Sequence, residues 1–204
     1  MNMAGRVIAS ATTAILLAVA PAIAGNTLVK QGVAVSVARS ALTVMPDREW
    51  NRMGARPGRR SETWTLDGAT LNDLTFYGAI ETGKTLFREV DRKHRPLPRY
   101  SSRMLLTDIP MLLENSYRIA LGTSLMTIDT VQPTLLAGSK AVRFTYTCTR
   151  PGEDVERRGE AVAAIIGRKL FMMSYEAPAI FYFDRDLAAF RRLVATARLT
   201  EGAR

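Results

Sequence analysis

Gly78-Ala79-Ile80-Glu81-Thr82-Gly83-Lys84-Thr85 satisfies the G-x-x-x-x-G-K-[ST] spacing with which a loop cradles phosphate on backbone N–H groups and extends a Lys to it. It follows an apolar strand candidate, Leu74 to Phe76, and Leu125 to Asp129 could supply the strand ending in a magnesium-linked Asp. Three features oppose that chemistry. Glu81 puts a negative charge where the anion would sit, the stretch after Lys84 runs on to Pro96 and Pro98, and the surrounding chain alternates as antiparallel strands where the motif needs a parallel sheet. The expectation is a turn at Thr82-Gly83-Lys84 between two strands, with nucleotide binding through residues 78–85 the least favoured function.

Other reactive side chains are sparse. His94 is the only histidine and lies in Arg92-Lys93-His94-Arg95, where a solvated loop explains it. A serine-hydrolase triad would have to use it, and no Gly-x-Ser-x-Gly elbow exists. Cys148 is the only cysteine, so no internal disulfide forms; among apolar strand residues it reads as a small buried hydrophobe. One His and one Cys cannot make the His/Cys part of a zinc site, so no metal and no cofactor is expected. Glu153, Asp154, Glu156 and Glu160 gather around a hairpin with Arg157 and Arg158 among them, a pattern for cross-strand ion pairs rather than acid/base work.

The remaining chemistry is positive charge and an address. Val7 to Ala20 is a short apolar run after Arg6, interrupted by Ser10, Thr12 and Thr13 and followed by Ala22-Ile23-Ala24. That pattern fits a cleaved signal peptide over residues 1–24, leaving a single domain at residues 25–204 in the periplasm. No Cys follows the run, so a lipoprotein anchor is not expected. The formal net charge of the whole chain is +9, and the excess sits in two Pro- and Gly-containing segments, residues 48–60 and 88–103. Arg56, Arg59, Arg60, Arg92 and Arg95 are the candidate contacts for an anionic lipid or an acidic envelope protein, with peripheral membrane contact and no nucleic acid. The alternative is compositional: Lys accounts for only five of the 28 Lys and Arg residues, as a GC-rich genome would give. Trp50 and Trp64 flank the first basic segment and suit core packing or a membrane interface.

The elements that carry these residues are legible from period and punctuation. Val33 to Val37 and Leu42 to Val44 alternate as a strand entering a turn at Pro46; Ser61 to Leu66, an Asp67-Gly68 turn and Leu74 to Ile80 form a hairpin. Thr107 or Asp108 can cap a helix with Pro110 in its first turn and a stripe of Ile109, Leu112, Leu113, Tyr117 and Ala120, ending at Gly122. Met126 to Thr130 suggests a strand, and Val142, Phe144, Tyr146 and Cys148 share one face of the next. Pro151-Gly152 turns the chain into a strand beginning near Val155, and Gly167 into another, Leu170 to Tyr175. A closing helix follows, with Asp184 and Asp186 at its positive end and Leu187, Phe190, Val194 and Ala197 on one face. Strands in runs with two helices indicate an α+β fold, a twisted antiparallel sheet covered by helices, the C-terminal one packed across it.

The meander Ala141 to Tyr175 and the closing helix Phe183-Asp184-Arg185-Asp186-Leu187-Ala188-Ala189-Phe190 resemble the PsbP-like α/β/α sandwich over about a third of the chain. The resemblance implies binding or accessory work without a shared catalytic site. Trp64-Thr65-Leu66-Asp67-Gly68 and Ser174-Tyr175-Glu176-Ala177-Pro178 are similar to uncharacterised exported proteins of alphaproteobacteria, which implies no activity. The expectation is an exported accessory or binding protein without catalytic activity. Convergent carboxylates in a cleft with Lys84 or Tyr146 would instead indicate an envelope enzyme.

Overall fold

The computed structural model describes residues 25–200 apart from Ser124. The expected signal peptide at residues 1–24 lies outside them. The chain runs β1 (Thr27–Val29), β2 (Val35–Ser36), β3 (Leu42–Val44), β4 (Trp50–Arg52), β5 (Ser61–Thr65), β6 (Asp73–Ile80), α1 (Ile109–Ala120), β7 (Met126–Leu136), β8 (Ser139–Cys148), β9 (Arg157–Ile166), β10 (Lys169–Pro178), α2 (Tyr182–Ala195) and β11 (Arg198–Leu199). Eight strands form one antiparallel sheet in the order β1-β4-β5-β6-β10-β9-β8-β7, and β11-β3-β2 form a small second sheet. This is the expected α+β architecture.

Strand alternation decides what each face buries. Phe171, Met173 and Tyr175 of β10 point to the α2 side, where they meet Trp64, Phe76, Phe183, Phe190 and Leu193. Leu170 and Met172 point the other way, into a core with Tyr77, Phe144, Tyr146 and the α1 residues Ile109, Leu112, Leu113 and Tyr117. The sheet is thus covered on both faces. Trp50 and Trp64 are buried, so neither is available to a membrane interface.

Several expectations move. The alternation from Val33 to Val44 is split into β2 and β3 by a turn in which Ala38 and Arg39 both take positive φ. The turn at 82–84 forms, with Lys84 N–H donating to the Glu81 carbonyl (3.0 Å), but no strand follows it; residues 81–105 run irregularly to α1. Ala120 is exposed, and the α1 stripe is completed by Ser116. α2 begins at Tyr182, ahead of Asp184, and buries Phe183, Asp186, Ala189, Phe190 and Leu193, while Leu187 and Val194 are half-buried. Asp186 is therefore an interior residue paired with Arg48 (2.9 Å) and Arg185 (2.5 Å) rather than an exposed N-terminal acid. β7 is the longest strand and lies at the sheet edge; it carries Pro133 and a register shift between Ile128 and Thr130.

Candidate functional site

The α1-facing phase of the sheet carries charge as well as hydrocarbon. Tyr146 on β8 pairs with Gly159 on β9, Gly159 with Glu176 on β10, and Glu176 with Asp73 on β6, so four residues form one row across four strands. With no side chain at Gly159, the Tyr146 ring lies over that position, and its hydroxyl donates to Glu176 (3.2 Å). Arg157, one diagonal step along β9, donates its Nε to Glu176 (2.8 Å) and its Nη1 to the Thr70 carbonyl (2.7 Å). Arg150, from the turn after β8, donates Nη2 to the same Glu176 oxygen (2.7 Å) and also pairs with Asp73. Glu153 joins at 3.4 Å from Arg157.

Arg157 and Glu176 are 0% and 1% exposed, a burial that only paired charges tolerate. Burial opposes ionisation of Glu176, but the Arg150 and Arg157 guanidiniums outweigh it and hold the carboxyl below its ordinary value. Asp73 goes the other way: burial, reinforced by the nearby Glu176 charge, raises it despite Arg150. Burial likewise pushes the hydroxyls of Tyr77, Tyr117 and Tyr146 up, with Glu176 adding to it, and keeps the Cys148 thiol protonated. These phenols are hydrogen-bonding groups at neutral pH.

Above Asp73 and Arg150 opens a cavity of about 650 Å³ between the sheet and the C-terminal end of α1. Its apolar wall includes Met53, Pro57, Tyr77, Phe87, Tyr117 and Leu121. Thr63 and Thr75 lie on its floor and spend their hydroxyls on each other (2.9 Å). Arg56 and Arg88 come to it from the two basic segments, which are tied together where Arg88 N–H donates to the Pro57 carbonyl (2.7 Å). Among the described residues, no group of His, Cys, Asp and Glu is placed to hold a metal ion.

The five anion-site candidates have different local partners. Arg56 is in the cavity wall, its Nη1 3.6 Å from Glu62. Arg59 and Arg60 are exposed before β5, where Arg60 donates to the Arg39 carbonyl. Arg95 donates to the Ile119 carbonyl (2.9 Å) at the far end of α1, and Arg92 is exposed near it in sequence. His94 is exposed and bonded to Asp91 (3.1 Å). Lys84 is exposed in its turn, no helix begins behind it, and Gly78 lies inside β6 against Ser40, so the phosphate-loop geometry is not built. The expected ion pairing around Arg157 is present, but its chief partner is Glu176 on the next strand, and Glu160 pairs with Arg191 of α2 (2.5 Å).

Asp73, Arg150, Arg157 and Glu176 were not singled out as a group in the sequence. The readable signal was phase: Glu176 shares the two-residue period of Leu170 and Met172, and Arg157 that of Ala161 and Ala163, so both had to point into a core.

No family model matches this chain, and no curated protein does. The likeness to exported alphaproteobacterial proteins therefore stays an expectation of the sequence. Among solved structures, the chain is similar to the cyanobacterial PsbP (CyanoP) of Synechocystis, with a TM-score of 0.51 at 12% identity, over 87% of this chain and 94% of that one. The fold is PsbP-like. Weaker likenesses run to PA94 of Pseudomonas aeruginosa (TM-score 0.41, 8% identity, 82% and 78% of the two chains) and to LpqN of Mycobacterium tuberculosis, a protein involved in cell envelope biogenesis (0.33, 10%, 86% and 90%). At such identities the PsbP-like fold carries no site residue across.

Proposed function

We propose that this PsbP-like chain is an exported, envelope-associated accessory protein that binds a small, largely apolar molecule in the cavity between sheet and α1 without transforming it. The observation that carries the reading is the cavity itself. Its volume of about 650 Å³ falls within the roughly 300–1,000 Å³ of small-molecule sites, and an apolar wall with few polar groups is their usual lining. Of the charges beneath it only Asp73, Arg150 and Glu153 reach the lining, and Arg150 is matched by Asp73 and by the buried Glu176, which holds it in place as structure. Export is supported by the short apolar run ending at Ala22-Ile23-Ala24.

Binding of a fluorescent fatty-acid analogue tests the reading. Micromolar affinity is expected, lost in Ala120→Trp, which fills the mouth of the cavity from α1 and leaves both cores intact. Equal binding by that variant, or none by the wild type, would end the carrier reading.

One observation favours an enzyme instead: Asp73 lines the cavity with a raised carboxyl, as general acids do. The two readings separate in Asp73→Asn, which leaves probe binding unchanged in a carrier.

A further inference from the structure

Six cations crowd the end of the sheet where β6 and β9 finish and β5 and β10 begin. Arg39, Arg59, Arg60, Lys84, Arg103 and Arg168 are all exposed, and among the described residues none forms an ion pair with a carboxylate. Backbone contacts hold their loops together. The Arg60 carbonyl accepts from Gly78 N–H (2.8 Å) and its guanidinium reaches the Arg39 carbonyl. The Lys84 carbonyl accepts from Tyr100 N–H (2.9 Å), the Tyr100 hydroxyl donates to the Arg168 carbonyl (3.2 Å), and Arg168 donates to Ser102 (3.3 Å), the neighbour of Arg103.

The carboxylates at this end are already engaged. Glu81 is matched by Lys169 (3.6 Å), Glu89 by Arg99 (2.8 Å), and Asp108 accepts from Leu105 N–H (2.8 Å). The excess is therefore a property of the assembled end and was split between distant stretches of sequence. Leu105 stands beside these cations with 68% of its surface exposed, and Met111, on the first turn of α1, with 65%.

We infer that this end of the molecule docks on an anionic bilayer surface. None of the six cations lines the cavity described above, and all six are exposed on the surface. Charges spread over several loops suit a plane of lipid phosphate, and Leu105 and Met111 offer the apolar contact that a headgroup layer accepts. An acidic protein would use the charges but gives no reason for an exposed Leu105 two residues from Arg103. The inference is independent of the cavity: failure of probe binding would leave it standing.

Co-sedimentation of the protein, purified as its host processes it, decides the matter. Vesicles would be either neutral phosphatidylcholine or the same lipid with about a third phosphatidylglycerol, in salt from about 0.1 M to about 1 M. Binding is expected only to the anionic vesicles at low salt. Lys84→Ser/Arg103→Ser/Arg168→Ser should weaken it about a hundredfold, each basic side chain near such a surface contributing about fivefold. The charge-matched Arg92→Ser/Lys93→Ser/Arg158→Ser should lose little, and Leu105→Ser should weaken binding at every salt concentration. Equal losses in the two triple variants would overturn the inference, as would a wild type that ignores anionic vesicles while binding an acidic protein column.

Discussion

The Tyr146 hydroxyl reaches Glu176 across an intervening strand, 3.2 Å away, because Gly159 between them has no side chain. A Cβ there would stand 2.0 Å from the ring. Gly159→Ala should therefore cost about 1–3 kcal/mol as overpacking, and much less in a Tyr146→Ala background. Urea unfolding of the four proteins measures the coupling. Equal costs in both backgrounds would mean that the ring is not what Gly159 accommodates.

Glu176 is the common acceptor of two buried guanidiniums. Glu176→Gln leaves Arg150 and Arg157 without their central counter-charge, and a loss of about 3–5 kcal/mol is expected. Asp73→Asn should cost less, since Asp73 is itself partly open to the cavity. The fluorescence of Trp50 and Trp64, both buried, reports the transition. A loss under about 1 kcal/mol in Glu176→Gln would show that Asp73 and Glu153 neutralise the pair alone.

The two carboxyls give opposite pH signatures. Glu176 titrates below its ordinary value in the folded protein, so its contribution is present above the unfolded value and lost as pH falls through the folded one. Asp73 titrates above its ordinary value, chiefly through burial, so its contribution is greatest below the unfolded value and declines as pH rises through the folded one. The stability of wild type relative to Asp73→Asn should accordingly decline as pH rises from the ordinary carboxylate range and then level off. Thermal midpoints across that range test it. A difference that grows with pH would mean that the Arg150 pair outweighs burial.

Phe190 is fully buried on α2 and stacks on Tyr175 with ring centroids 5.9 Å apart. Phe190→Ala should cost about 3–5 kcal/mol, as truncation of a buried aromatic does, while Leu187→Ala, half-buried, should cost clearly less. Calorimetry ranks them. A larger loss at Leu187 would restore the helix face expected from sequence.

The strands from Ser139 to Pro178 were legible because β8 alternates, β9 and β10 carry near-continuous apolar runs as strands buried on both faces do, and turns with Pro or Gly separate them. The helix faces were less so. A stripe of Leu187, Phe190 and Val194 scores as apolar whichever way it is rotated, and only Asp186, neutralised by Arg48 from 138 residues away, shows that the face turns further. The same holds for the cavity floor: Asp73 and Arg150 are separated by 77 residues, and their pairing depends on β6 lying beside β10, which no local pattern states. The basic segments were visible as composition, but not their partners: Arg60 is held to β6 and to the Arg39 turn, Arg95 to the end of α1, and Lys84 is linked to Arg168 through Tyr100.

Among the described residues, β7 leaves 11 residues of sheet edge with no further strand beside them. A run of that length with free N–H and C=O groups ordinarily invites another chain to add on. Here Pro133 brings no N–H, and the register shift at Asp129 breaks the spacing of the groups before it, so the edge is cut into three short stretches. The opposite edge, β1, is only three residues long. Both margins of the sheet are therefore poor templates for edge-to-edge addition of another chain.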